Sequence, residues 1–233
     1  MAKKKTQGGS NLKPFYIILG VVALLGAAAI GYGALRRPSA AVEPIDLSSL
    51  DARALYEKAK GVGLGDPAAP VQVLVFSDYM CPACAYFSTR STPLLKQEFI
   101  DRGQVQLIYY DFPLGGTHVH SFVASRAARC AEDQGKFWEY HDMLLGRQQD
   151  WSYSREAPIG KFMGYARELG LEESRFGGCL RSDEHAELVS ANHELGEQLG
   201  VNATPSVFVN SRKVSSPNDW DELRPAIQRE LGN

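Results

Sequence analysis

Two of the four cysteines of this chain stand three residues apart, in Cys81-Pro82-Ala83-Cys84. Thiols so spaced can exchange with a disulfide in another molecule, one thiolate attacking and the second resolving the mixed disulfide. The β-branched apolar run Val71–Phe76, bounded by Pro70 and Ser77, precedes them and predicts a buried strand; from Pro82 to about Phe99 the spacing predicts a helix. The motif therefore sits where a strand ends and a helix begins. Pro82 suits the first helical turn, where its missing N–H has no intrahelical partner in any case. Cys81 is left beside unpaired amides at the positive end of the helix dipole, and both favour thiolate over thiol. Cys84 falls one turn deeper on the same face, close enough to close a disulfide. The pair reads as an exposed nucleophile with a shielded resolving thiol.

Other chemistries fit less well. Zinc would need Cys130 and Cys179 as further ligands, yet each is isolated in a helical segment rather than paired on a knuckle. Covalent haem requires His after the second cysteine, where Ala85 stands. A purely structural bridge across so short a loop constrains the unfolded chain little. Redox exchange needs no metal and no organic cofactor. His118 and His120 fall in a loop while His141, His185 and His193 are scattered over helices, so solvated or capping roles are expected for all five. Phe137, Trp138 and Tyr140 are expected in the core of the insertion, with substrate contact near the redox face as the alternative.

The positioning elements follow from the same patterns. Asp51 to Lys60 predicts a short helix ended by the stretch Gly61–Gly65. Val105 to Tyr110 predicts a second buried strand; strand, helix, strand at this spacing makes a βαβ unit with parallel strands. The helix between them offers Ala85, Tyr86, Leu94, Leu95 and Phe99 to one face, with a kink at Pro93. Helical spacing then runs over 121–134, 137–146, 159–169 and 183–199, broken at Gly135, at the polar loop 147–157 and at Gly177-Gly178. Ser206–Asn210 and Lys213-Val214, joined tightly at Ser211-Arg212, return to strands, and a last helix starts near Asp219. The whole is one α/β domain carrying a helical insertion.

Three stretches resemble the DsbA-like family of exported thiol–disulfide oxidoreductases: 76–84 (FSDYMCPAC), 130–138 (CAEDQGKFW) and 200–205 (GVNATP), in the family's order. The resemblance covers roughly residues 60–231. It implies a thioredoxin fold with a helical subdomain inserted at about 118–199. It also implies a cis Thr204-Pro205 peptide facing the active cysteines, with Pro205 joining Cys81 and Cys84 in catalysis and Pro82, Ala83 and Thr204 meeting substrate. A proline opening a strand leaves a neighbouring backbone edge free to pair with a client chain. In the family a buried acid on the preceding strand assists proton movement at the resolving thiol. Leu74 and Val75 occupy that stretch here, and the nearest carboxylate is Asp78, either a substitute proton acceptor or a stabiliser of the turn. Strongly oxidising relatives carry His between the cysteines; Ala83 stands there instead, so forming, isomerising and reducing disulfides all remain open. In an oxidising compartment Cys130 and Cys179 tend to pair. The alternative is two buried free thiols, and the resemblance favours the bridge.

Charge and hydropathy place the domain. Residues 1–37 hold six basic residues and no acidic one, leaving 19 basic against 27 acidic residues beyond. An acidic body without a basic tract gives no footprint for nucleic acid. Phe15 to Leu35 are 21 uncharged, largely apolar residues, about 31 Å as a helix, which matches a bilayer. With lysines before it, the positive-inside bias predicts a basic cytoplasmic tail over 1–14, one transmembrane helix over 15–35 and export of the rest. A cleaved signal peptide is the competing reading, though its apolar region is usually about 7–15 residues. Residues 36–49 read as a tether and 50–233 as the domain. The expected setting is the inner membrane with the domain on the periplasmic or extracytoplasmic side. Exported thiol proteins would be its clients and a membrane redox partner would recycle it. A non-catalytic, membrane-tethered thioredoxin-fold chaperone is the reading from another class.

Overall fold

Apolar side chains run along the three inner strands, and in the computed structural model these pair with two short edge strands into one mixed sheet. The structure describes residues 20–26 and 42–232. The strands are β1 (Val62–Leu64), β2 (Val71–Ser77), β3 (Val105–Asp111), β4 (Ser206–Val209) and β5 (Arg212–Lys213), in the order β1-β3-β2-β4-β5. β2 and β3 are parallel, with Val71 opposite Val105 and Ser77 opposite Asp111; every other pairing is antiparallel. The central β2 buries one face throughout (Val71, Val73, Val75, Ser77), while its other face passes from exposed Gln72 through half-buried Leu74 to buried Phe76; β3 alternates buried and half-buried positions.

The α-helices of residues 42–232 are α1 (Ala52–Lys58), α2 (Pro82–Tyr86), α3 (Thr92–Glu98), α4 (Ser121–Glu132), α5 (Phe137–Gly146), α6 (Ile159–Glu168), α7 (Glu173–Arg181), α8 (Ala186–Gln198) and α9 (Trp220–Glu230). Four places depart from the sequence expectation. The stretch expected only to end α1 contains β1, which becomes a strand by pairing with Leu107–Tyr109. The kink expected at Pro93 is instead a wide π turn, Phe87–Ser91, just ahead of it, where Thr92 N–H bonds Phe87 O. Widening the turn relieves the clash between the Pro93 ring and the carbonyl four residues back. It also rotates the helix face: Tyr86 and Leu94 are exposed, while Cys84, Phe87 and Leu95 are buried. Third, Gly177 and Gly178 lie inside α7, and the break falls at 182–185. At Gly177 a Cβ would come within 3.1 Å of Arg181 Nη1 and 3.3 Å of Met163 Cε, so the glycine lets those side chains lie against the helix. Fourth, the β4–β5 turn falls one residue early, on Asn210 with φ +52°.

One apolar cluster, under α9 and between β2 and β3, gathers Val73, Val75, Leu107, Val207, Leu223 and Ile227. Another fills the helical insertion between β3 and β4, with Tyr140, Leu144, Trp151, Phe162 and Phe176. α8 closes on the sheet through Gly196, whose missing Cβ would come within 2.6 Å of the Phe112 ring. Arg129 and Asp111, both fully buried, bind at 2.6 Å, and Arg129 also donates to Lys60 O at 2.9 Å. Asn192 donates to Asp111 at 3.0 Å. This network ties β3, α4 and α8 together.

Residues 1–38 and 39–233 form two units. In the first, residues 20–26 are helical and exposed; the expected tail and most of the expected span 15–35 lie outside the described residues. No helix among the described residues is long and apolar enough to cross a membrane. The tether expected over 36–49 is laid against the domain from residue 42 on. There Ile45 N–H donates to Ser190 Oγ at 2.9 Å, and Leu47 packs with Leu55, Ala59 and Ala191.

Candidate active site

β2 ends at Ser77, and a turn closed by Cys81 N–H donating to Asp78 O (3.1 Å) delivers the chain into α2. Cys81 is the N-cap residue with extended backbone, and Pro82 opens the first helical turn. Both thiols are reduced. Cys81 is 7% exposed against 1% for Cys84, so the sulfur expected to attack is less open than the sequence suggests. Its Sγ lies 3.3 Å from Thr204 O, which the thiol form meets as a donor. Thr204-Pro205 is cis and brings the start of β4 against the cysteine.

The two sulfurs differ in acidity for stated reasons. A hydrogen bond from the Cys84 thiol, the Thr204 side chain and the amides of Ala83 and Cys84 together hold Cys81 down at about 6, against the opposing cost of burial. Burial in turn pushes the Cys84 thiol well up, and the neighbouring Cys81 adds to the shift. At neutral pH the first sulfur is a thiolate and the second a thiol. That is the arrangement an attacking and a resolving sulfur require.

Asp78 is fully buried and surrounded by donors. Oδ1 accepts from Met80 N–H (2.6 Å) and from the Ser121 hydroxyl; Oδ2 accepts from Leu114 N–H (2.7 Å) and lies 3.0 Å from His118 Nδ1. With both oxygens engaged, the carboxylate fastens the turn before Cys81 to the loop before α4.

Other residues came into the site without a signal in the sequence. Gln148, from the loop after α5, donates through Nε2 to Tyr79 O at 2.8 Å and to Cys81 O at 3.0 Å. Asn218 donates to Ala83 O at 3.2 Å. His141, expected in a solvated or capping role, is 4% exposed and hydrogen-bonds Tyr79 Oη through Nδ1 at 3.0 Å. The placement of Phe137 and Leu144 one turn to either side of it was the available clue. His120 is likewise buried, with Nε2 2.8 Å from Ser154 O. Phe137 and Tyr140 lie in the core, while Trp138 is half-buried with its indole donating to Gly63 O at 3.0 Å.

Cys130 on α4 and Cys179 on α7 are bonded to each other, with Cα atoms 5.8 Å apart. The sulfurs a zinc site with Cys81 and Cys84 would have used are thereby taken.

Comparison with known proteins agrees with this geometry. The pattern that defines the thioredoxin family is matched over residues 57–229. A probable disulfide bond formation protein D of Bacillus anthracis is 33% identical over 172 residues, 72% of this chain and 77% of that protein. Oxidised BdbD from Bacillus subtilis superposes with a TM-score of 0.67 at 26% identity, covering 75% of this chain and 97% of that one. A thioredoxin-like oxidoreductase from Silicibacter pomeroyi gives 0.63 at 27% identity, covering 79% and 99%.

Proposed function

The chain belongs to the thioredoxin family and groups with its disulfide bond formation proteins, and on that footing we propose that it exchanges thiols and disulfides with exported proteins through Cys81 and Cys84. The observation that carries the reading is the placement of the two sulfurs on one helical turn, Cys81 at the N-cap of α2, 3.3 Å from Thr204 O beside the cis Thr204-Pro205 bond, and Cys84 buried one turn deeper. When the pair is oxidised, a client thiolate attacks Cys81 Sγ, Cys84 leaves, and the client's second thiol resolves the mixed disulfide. When the pair is reduced, the Cys81 thiolate attacks a client disulfide and Cys84 releases the product. Pro82 and Ala83 line the approach, the Thr204 backbone pairs with the client chain, and Pro205 keeps that edge facing the sulfurs. Asp78 acts by fixing the turn, since its oxygens are already occupied.

The uncharged stretch 15–35 supports a single N-terminal anchor with residues 1–14 in the cytoplasm and the domain, including its 118–199 insertion, across the membrane. Lipid around the anchor would keep the domain near a membrane redox partner that recycles it. Extraction at alkaline pH should leave the full chain in the membrane pellet; release into the supernatant would remove the anchor.

Insulin reduction and reoxidation of a reduced client test the chemistry. Cys81→Ser should lower both rates by roughly a thousandfold or more. Unchanged rates would dismiss Cys81 as nucleophile and leave a tethered binding protein as the reading.

A further inference from the structure

Resolution of a mixed disulfide needs Cys84 as thiolate, yet this thiol is 1% exposed and sits in surroundings that oppose its ionisation. Something must take its proton. Among the described residues no carboxylate is placed to do so: Val75 occupies the strand beside it, and the Asp78 oxygens accept from Met80, Leu114 and Ser121, with His118 alongside.

Behind Cys84 lies a small cavity whose wall is shared by Val75, Ser77, Ser88, Thr92, Tyr109 and His141. Its ionisable members besides Cys84 are Tyr109, from β3, and His141, from α5. The ring of His141 is held edge-on to Tyr109, centroids 4.7 Å apart, and edge-on to Trp138 at 5.3 Å. Its Nδ1 is 3.0 Å from the Tyr79 hydroxyl, a group that is itself fully buried. Burial keeps the imidazole neutral, its titration lowered to about 3. A neutral imidazole whose Nδ1–H donates to the Tyr79 oxygen keeps a bare lone pair on Nε2, whereas one whose Nδ1 accepts from Tyr79 carries its proton on Nε2. The charged groups that reach this neighbourhood from farther off, Asp111, Arg129 and Asp142, act on Tyr79.

We propose that His141 is the proton acceptor for Cys84, with Tyr79 holding Nδ1–H and so leaving Nε2 bare towards the cavity. The inference rests on the exchange reading above. In the resolving step Cys84 Sγ–H gives its proton to Nε2. The Cys84 thiolate attacks Cys81 Sγ, the Cys81–Cys84 bond forms, and the electron pair of the Cys81–client bond leaves on the client sulfur. The imidazolium then returns its proton through solvent to the departing thiolate. In the reverse direction the same imidazolium protonates Cys84 as it leaves Cys81. The charged pair made in passing, thiolate beside imidazolium, offsets the burial that each would suffer alone. His141 thus acts through Cys84 and never meets the client.

The test isolates that step. Cys81 is loaded as a mixed disulfide with thionitrobenzoate, and expulsion of the coloured thiolate is followed between pH 6 and 8. Proton transfer inside the protein predicts a rate nearly flat with pH in the wild type. His141→Phe, which keeps a stacked ring, and His141→Gln, which keeps polarity, should each slow expulsion at least tenfold at pH 6 and make it climb with pH. In both, alkylation of Cys81 should keep its midpoint near pH 6, which a merely unfolded site would lose. Equal rates and equal profiles in the variants overturn the assignment. So does a wild-type rate that climbs about tenfold per pH unit, whether or not a variant folds. A wild type that never expels thionitrobenzoate sinks the exchange reading itself.

Discussion

The molecule carries two cysteine pairs, and the contrast between them separates a reactive sulfur from an inert one. Cys130 and Cys179 join α4 to α7 across 49 residues. Arg126 reinforces the same seam, donating to Leu180 O at 2.9 Å and to Ser182 O. Cys81 and Cys84 lie on a single helical turn, reduced, with one sulfur facing amides and the other facing a buried cavity. A bridge over a long loop removes freedom from the unfolded chain, and a bridge over three residues removes almost none. The first pair is therefore suited to stability and the second to exchange.

Splitting the pairs by mutation is the largest test. Cys84→Ser should stall the protein as a mixed disulfide with its client, visible on a non-reducing gel, with turnover down roughly a thousandfold. Cys130→Ala with Cys179→Ala should leave turnover within about twofold. That double variant should lose about 4 kcal/mol of unfolding free energy by the loop-closure argument, measured by denaturant titration. If turnover falls with stability intact, the two pairs are not separate in function. Next in size, Arg129→Met leaves Asp111 buried without its cation and should cost about 3–5 kcal/mol; a cost under 1 kcal/mol would mean that water reaches the pair.

A pH comparison sharpens the contrast further. The folded reduced protein holds Cys81 at about 6 where the unfolded chain holds it near 9.0. A lowered value adds stability above the unfolded value and loses it as pH falls through the folded one. The melting temperature of the reduced form, less that of the oxidised form, should therefore rise between pH 6 and 8 and level off below 6. A flat difference would mean that Cys81 is not selectively ionised. The smallest effect concerns Ala83→His: the added ring donor steadies the thiolate, and each unit by which the Cys81 pKa falls makes the pair more oxidising by about 30 mV, read against glutathione.

The strands β2 and β3, the helix starting at Pro82 and the cysteine motif were legible because each is encoded locally, by a run, a period or a spacing. What stayed hidden depends on distant partners. Val62–Leu64 contains a glycine and becomes a strand only against Leu107–Tyr109. Gly177 and Gly178 read as a break, yet packing against Met163 and Arg181 makes a glycine fit inside α7. His141 looked like one of five scattered histidines until folding carried α5 behind Cys84. Asp78 was left open between two roles, and the donors that fill its oxygens come from residues 80, 114 and 121, with His118 alongside.

The side-chain amide of Gln148 spans the carbonyls of Tyr79 and Cys81 from a loop more than sixty residues downstream. The four-residue motif is consequently not a portable unit. Grafted onto a thioredoxin scaffold without that loop, it would keep its sulfurs and lose the clamp on its own backbone, and the nucleophile would wander from the position in which its neighbours stabilise it.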